Sequence, residues 1–131
     1  MAGPAGAGTS VVRMSAPTDL LPPDRMPTVL REYLAAHAAR DHRTALRTFT
    51  PDAVVTDEGR TYRGTAEIAD FLAHAGAPYT FTTEVLGAQR AAADRWVVVV
   101  RIEGDFPGGT AELRYRTTLR DGLVAELVIA P

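Results

Sequence analysis

Four side chains have the type and position to move protons: Asp57, Tyr33, His37 and Tyr115. Tyr33 and His37 stand four residues apart in a stretch with helical periodicity, so both project from the face that also carries Leu30 and Leu34. There the tyrosine can bury its ring against a backbone acceptor and the histidine can sit satisfied at a core rim. In a pocket, the same pair supplies a hydroxyl donor and a proton relay. Asp57 closes an expected strand, Ala53 to Asp57. Its carboxylate either fixes the Glu58-Gly59 turn or, at the mouth of an apolar pocket, is poorly solvated as an anion and so accepts a proton from a carbon acid more readily. Tyr115 shares a strand face with Leu113 and Thr117, where it is either a core aromatic or a second hydroxyl. Glu126 alternates with Leu127 and is expected to face solvent or a subunit interface.

Composition removes most other chemistries. The chain has no cysteine and no lysine, which excludes disulfides, thiolate metal sites, cysteine nucleophiles, Schiff bases and a P-loop lysine. Its only serines, Ser10 and Ser15, fall in a stretch expected to be disordered, so no serine nucleophile is left in the folded part. His37 and His42 are five apart and do not stack as helical metal ligands would; no metal site is expected. Gly3, Gly6 and Gly8 follow no strand and open no helix, so they form no phosphate cradle. A formal net charge of −2 without same-sign blocks argues against a nucleic-acid or anionic-membrane partner. What remains is acid–base chemistry by Asp, Glu, His or Tyr with no cofactor, or by a ligand that the chain does not encode.

The elements that must position these groups follow from periodicity. At 131 residues and 46% hydrophobic, the chain suits one domain with a real core. Residues 1–24 read as a disordered tail and 25–131 as the domain. Met1 to Arg13 lacks the pattern of a secretory signal, Met14 is an alternative start, and a cytoplasmic location is expected. From Asp24 to about Arg40, Val29, Leu30, Tyr33, Leu34 and His37 recur at helical spacing, with Pro27 in the first turn. Asp41 can cap a shorter helix burying Ala45, Leu46 and Phe49 and ending before Pro51. After the strand to Asp57 and a turn-rich excursion from Glu58 to Arg63, Gly64 opens a third helix with Ile68, Phe71 and Leu72 inward. Beyond a break at Gly76 to Pro78, four strands are expected: Tyr79 to Leu86, Arg95 to Gly104, Thr110 to Leu119 and Leu123 to Ala130, the last two joined by Asp121-Gly122. Trp96, Val98, Val100 and Ile102 share one face of their strand. Val97 and Val99 lie on the other, which is expected to meet a second subunit.

This order, with the run Phe49-Thr50-Pro51-Asp52-Ala53-Val54-Val55-Thr56-Asp57 and with Tyr62-Arg63-Gly64 leading into Ile68 to Phe71, resembles the NTF2-like superfamily over roughly residues 27–130. The resemblance is to its SnoaL-like polyketide cyclase and ketosteroid isomerase branches in particular. It implies an α+β cone in which helices pack on a curved antiparallel sheet around a pocket. In the isomerase register the oxyanion tyrosine falls at Tyr33 and the general base at Asp57. The isomerase's protonated aspartate falls at Tyr115, its supporting tyrosines fall near Phe49 and Leu72, and His37 takes an apolar lining position, giving an Asp57 and His37 pair. The substrate would then lie among Phe49, Val55, Phe71, Trp96, Val98, Val100, Leu113, Tyr115 and Leu127.

The function this implies is a cofactor-independent acid–base enzyme acting on a small hydrophobic cyclic or polyketide-like carbonyl compound, working as a homodimer through the outer sheet face. Two other readings stand beside it: a non-catalytic binding or dimerisation module, and a hydrolase in which Asp57 activates water toward an epoxide.

Overall fold

The computed structural model of the chain describes residues 20–75 and 79–131. The expected break at 76–78 and residues 1–19 of the expected tail lie outside the described residues. Helix α1 (Thr28–Ala38) begins after Pro27 and buries Val29, Leu30, Tyr33, Leu34 and Ala36. It stops in a left-handed residue, Arg40 (φ 57°). The Arg40 and Asp41 N–H groups donate back to the His37 and Ala36 carbonyls, which satisfies the helix end without a glycine. Asp41 then caps α2 (His42–Arg47) by accepting from the Thr44 N–H at 3.2 Å.

The second helix ends sooner than its sequence pattern suggests. The Thr48 hydroxyl donates to the Ala45 carbonyl, and the Thr48 carbonyl accepts from the Val124 N–H at 2.7 Å, so the chain is drawn into the sheet. Phe49 is therefore the first residue of strand β1 (Phe49–Asp57), still buried, rather than the end of a helix. The excursion after Asp57 is a two-residue hairpin. Glu58 (φ 52°) and Gly59 (φ 78°) both take the positive φ that a type I′ turn demands. They return the chain as β2 (Arg60–Arg63). Helix α3 (Gly64–His74) follows, burying Ile68, Phe71 and Leu72. Strands β3 (Phe81–Ala92), β4 (Arg95–Gly104), β5 (Thr110–Arg120) and β6 (Leu123–Ala130) complete the chain.

The six strands form one curved sheet in the order β2-β1-β6-β5-β4-β3. The sheet is not wholly antiparallel: the last strand returns beside the first, and β1 pairs with β6 in parallel. The helices cover one face, where Leu30, Ile68, Val55, Val98, Val100, Val124 and Leu127 are the most completely buried large side chains. Each such aliphatic side chain contributes about 1.5–3 kcal/mol through burial. On the opposite face Val97 is half-exposed but Val99 is only 7% exposed. The apolar patch available to a second subunit is thus smaller than strand alternation alone implies.

The last five residues of the expected tail, 20–24, belong to the described structure. Leu21 exchanges two backbone hydrogen bonds with Ala88 (2.7 and 3.0 Å), extending the sheet past β3, and Pro23–Arg25 form a single 3-10 turn. This contact needs a glycine at 87. Gly87 sits at a bulge with φ 151°, and a Cβ there would lie 2.7 Å from both the Leu20 Cβ and the Leu21 carbonyl oxygen. Gly87→Ala is therefore expected to cost about 1–3 kcal/mol in chemical denaturation. A variant as stable as the parent would show that residues 20 and 21 do not pack there.

Candidate active site

Strand pairing brings the candidate acid–base groups together. Asp57 is level with Ile129 across β1 and β6, and Ile129 is level with Tyr115 across β6 and β5. Level residues share a face, and strands are spaced about 4.8 Å apart, so Asp57 and Tyr115 stand roughly 10 Å apart at their backbones with both side chains on the helix-covered side. Tyr33 reaches the same region from α1. Each tyrosine holds its proton more tightly because Asp57 is nearby, and Tyr33 also because of Tyr115.

Burial sets the protonation states. The Tyr33 side chain is 3% exposed, and its hydroxyl has no hydrogen-bond partner among the described residues. Burial first, then Tyr115 and Asp57, push its pKa well above the ordinary tyrosine value. Burial first, then Asp57, pushes Tyr115 up to about 12. Both phenols thus stay protonated and act as hydrogen-bond donors. Asp57, half-buried, has its pKa raised by burial and then by Glu58, with a backbone hydrogen bond at Glu58 opposing the rise. A carboxylate shifted this way is a stronger base than a solvated one once it ionises.

His37 joins the group by a different contact. Its ring stacks on Tyr33 with centroids 5.8 Å apart and planes 11° apart, while Phe49 meets the same tyrosine edge-on at 5.5 Å. Burial, then Arg40 and His42, lower the His37 pKa, so the imidazole is neutral at physiological pH. Besides burial, the groups that perturb it are Arg40, just past α1, and His42, at the start of α2; Asp57 is not among them.

Of the residues expected to line the substrate, Phe49, Val55, Phe71, Trp96, Val98, Val100, Tyr115 and Leu127 are packed in the core, and Leu113 is half-buried beside it. One opening lies where α1, α2, α3 and β3 come together. It is a cavity of about 270 Å³ lined by His37, Ala38, Arg40, His42, Leu72, Ala75, Phe81, Thr82 and Thr83. His37 is the one residue common to the cavity wall and the acid–base group. A second, more open depression of about 340 Å³ lies over Arg60, Tyr62 and Glu67. Sequence periodicity did not single out Arg40, His42, Thr82 or Thr83. For Arg40 and His42 the signal was the break between α1 and α2; Thr82 and Thr83, in β3, carried none. No group of three His, Asp or Glu side chains is placed to hold a metal ion among the described residues, and no described helix is long and apolar enough to cross a membrane.

Residues 30–127 match the family model of the SnoaL-like domain. A proposed polyketide cyclase from Sinorhizobium meliloti is 30% identical, superposes with a TM-score of 0.78, and is covered over 100% of its length by 84% of this chain. A protein of ketosteroid isomerase-like fold from Catenulispora acidiphila, crystallised with trimethylamine, is 17% identical (TM-score 0.71, 81% of this chain and 86% of that one). TerC, co-crystallised with polyporic acid, is 23% identical (TM-score 0.68, 78% and 87%). A search of curated proteins found no match.

Proposed function

The chain belongs to the SnoaL-like domain family, within the NTF2-like fold, and we propose that it is a cofactor-independent acid–base enzyme that enolises a small hydrophobic carbonyl compound of cyclic or polyketide-like type. The observation that supports this most is the buried, unpartnered Tyr33 hydroxyl beside Tyr115 and Asp57. A buried hydroxyl without a partner costs about 1–3 kcal/mol. A carbonyl oxygen that becomes an enolate would recover that cost in the transition state.

In this proposal the Asp57 carboxylate removes a proton from the carbon next to the carbonyl. The C–H electron pair moves into the enolate, and Tyr33, with Tyr115 behind it, donates to the enolate oxygen. The enolate then either regains the proton from Asp57 at another carbon, which is isomerisation, or attacks a second carbonyl in the same molecule, whose π electrons move onto its oxygen and take the proton back from Asp57, which is cyclisation. His37 lines the cavity and stacks on the Tyr33 ring, so a substrate entering from the cavity meets it first, and in this proposal its neutral imidazole exchanges protons with the substrate or solvent there.

The family and the solved structures support the small-molecule part of the reading: TerC was crystallised with polyporic acid, and the Sinorhizobium relative is itself a proposed polyketide cyclase. Enolisation can be tested before the natural substrate is known. Cyclic ketones and aromatic β-diketones incubated with the protein in heavy water should exchange their α-protons, read by NMR, faster than in protein-free buffer. Saturable binding of the same compounds without any acceleration would instead make the protein a ligand-binding module.

A further inference from the structure

The cavity at the end of α1 carries an electrostatic feature that enolisation does not require. Arg40 and His42 line it together with the neutral His37, whose pKa is lowered by burial first and then by Arg40 and His42. Among the described residues no carboxylate lines the cavity. Asp41, between two of these residues in sequence, turns onto the Thr44 N–H instead, and Arg40 forms no ion pair among the described residues. The rest of the lining is Ala38, Leu72, Ala75, Phe81, Thr82 and Thr83, apolar apart from the two threonine hydroxyls.

Arg40 is held there by the backbone. It is one of three non-glycine residues with positive φ among those described, and the other two, Glu58 and Asp121, occupy hairpin turns. Its left-handed conformation reverses the chain after α1 and sets Arg40 and His42 on the same cavity wall as His37. Glycine or asparagine would make that reversal at lower cost, so the helix stop alone does not account for an arginine.

We propose that this cavity binds an apolar small molecule bearing one carboxylate, with the carboxylate on Arg40 and His42 and the apolar body against Leu72 and Phe81. Arginine holds a carboxylate through two parallel N–H donors, and a wall without competing acids leaves those donors free for the ligand. The apolar wall selects against small inorganic anions, and the basic wall selects against neutral analogues. The inference names the substrate class of the site proposed above. It rests on that reading only for the step from ligand to substrate, because binding does not depend on Asp57.

The test compares two probes of nearly equal shape, 2-naphthoate and its methyl ester, titrated into the full chain by calorimetry or NMR. The parent protein is expected to bind the acid at least about tenfold more tightly than the ester, as loss of one charge-assisted contact would give. Arg40→Asn removes the charge while suiting the left-handed backbone, so folding is preserved. It should weaken naphthoate by about tenfold or more and leave the ester within twofold. Arg40→Lys should recover part of the loss.

Equal affinity for acid and ester, unchanged naphthoate binding in Arg40→Asn, or displacement of naphthoate by equimolar inorganic phosphate would each overturn the proposal. Asp57→Asn separates it from the catalytic reading. Unaltered naphthoate binding in that variant together with lost proton exchange supports both, and retained exchange overturns only the mechanism.

Discussion

Asp57→Asn is expected to lower the rate of α-proton exchange by about 10²- to 10⁴-fold, the scale of a lost general base, and to make the protein more stable at neutral pH. Both effects have one cause. Burial, and then Glu58, raise the pKa of Asp57 above its ordinary value of 3.8. The folded protein therefore holds that proton more tightly than the unfolded chain does. The contribution to stability is full below the unfolded value and is lost as pH rises through the folded one. Asparagine never ionises, so the variant escapes this loss. The melting curves of parent and variant should converge in acid and separate upward from about pH 4, with the variant melting higher. A variant that melts lower at neutral pH would mean that the Asp57 carboxylate makes a stabilising contact, contrary to the burial described here.

Tyr33→Phe should lower exchange by about 10²- to 10³-fold, the scale of one oxyanion donor, without destabilising the fold. The phenylalanine keeps the stack on His37 and the edge contact with Phe49. The hydroxyl it deletes is buried and unpartnered, so its removal should leave stability unchanged or raise it by about 1 kcal/mol. Tyr115 remains as a second donor, which is why the expected loss is smaller than for the base. A drop of more than about 1 kcal/mol in denaturation would show that the Tyr33 hydroxyl is bound in the resting protein and is not held ready for an oxyanion.

Much of this architecture is legible in the sequence, for reasons that differ by element. Strand β4 keeps its expected limits because a β-branched run, Val97 to Val100, is bounded by Gly104, and β6 keeps its start because the Asp121-Gly122 turn marks it, with Asp121 (φ 55°) and Gly122 (φ 75°) adopting the paired positive φ of that turn. Residues set by partners rather than by their own pattern were harder to read. Gln89, Arg90 and Ala91 have weak strand propensity, and β4 imposes strand structure on them through β3. The parallel pairing of β1 with β6 joins segments at opposite ends of the domain, which no local pattern records.

The candidate site divides in the same way. Helical spacing puts Tyr33 and His37 on one face, and the stack confirms that they meet. The approach of Tyr115 to Asp57 depends on the β6 register between them, and the cavity wall at Arg40 and His42 depends on a left-handed residue between two helices.

The measurement that bears most directly on the acid–base reading is the pH profile of kcat/KM for α-deuterium exchange, which reports the ionisation of the free enzyme's base. The account expects a rising limb whose midpoint lies above 3.8 and coincides with the titration of the Asp57 carboxyl carbon followed by NMR in the same protein. Asp57→Asn should abolish that limb, while His37→Gln should leave its midpoint in place. A limb that survives in Asp57→Asn, or one that disappears in His37→Gln, would contradict Asp57 as the base.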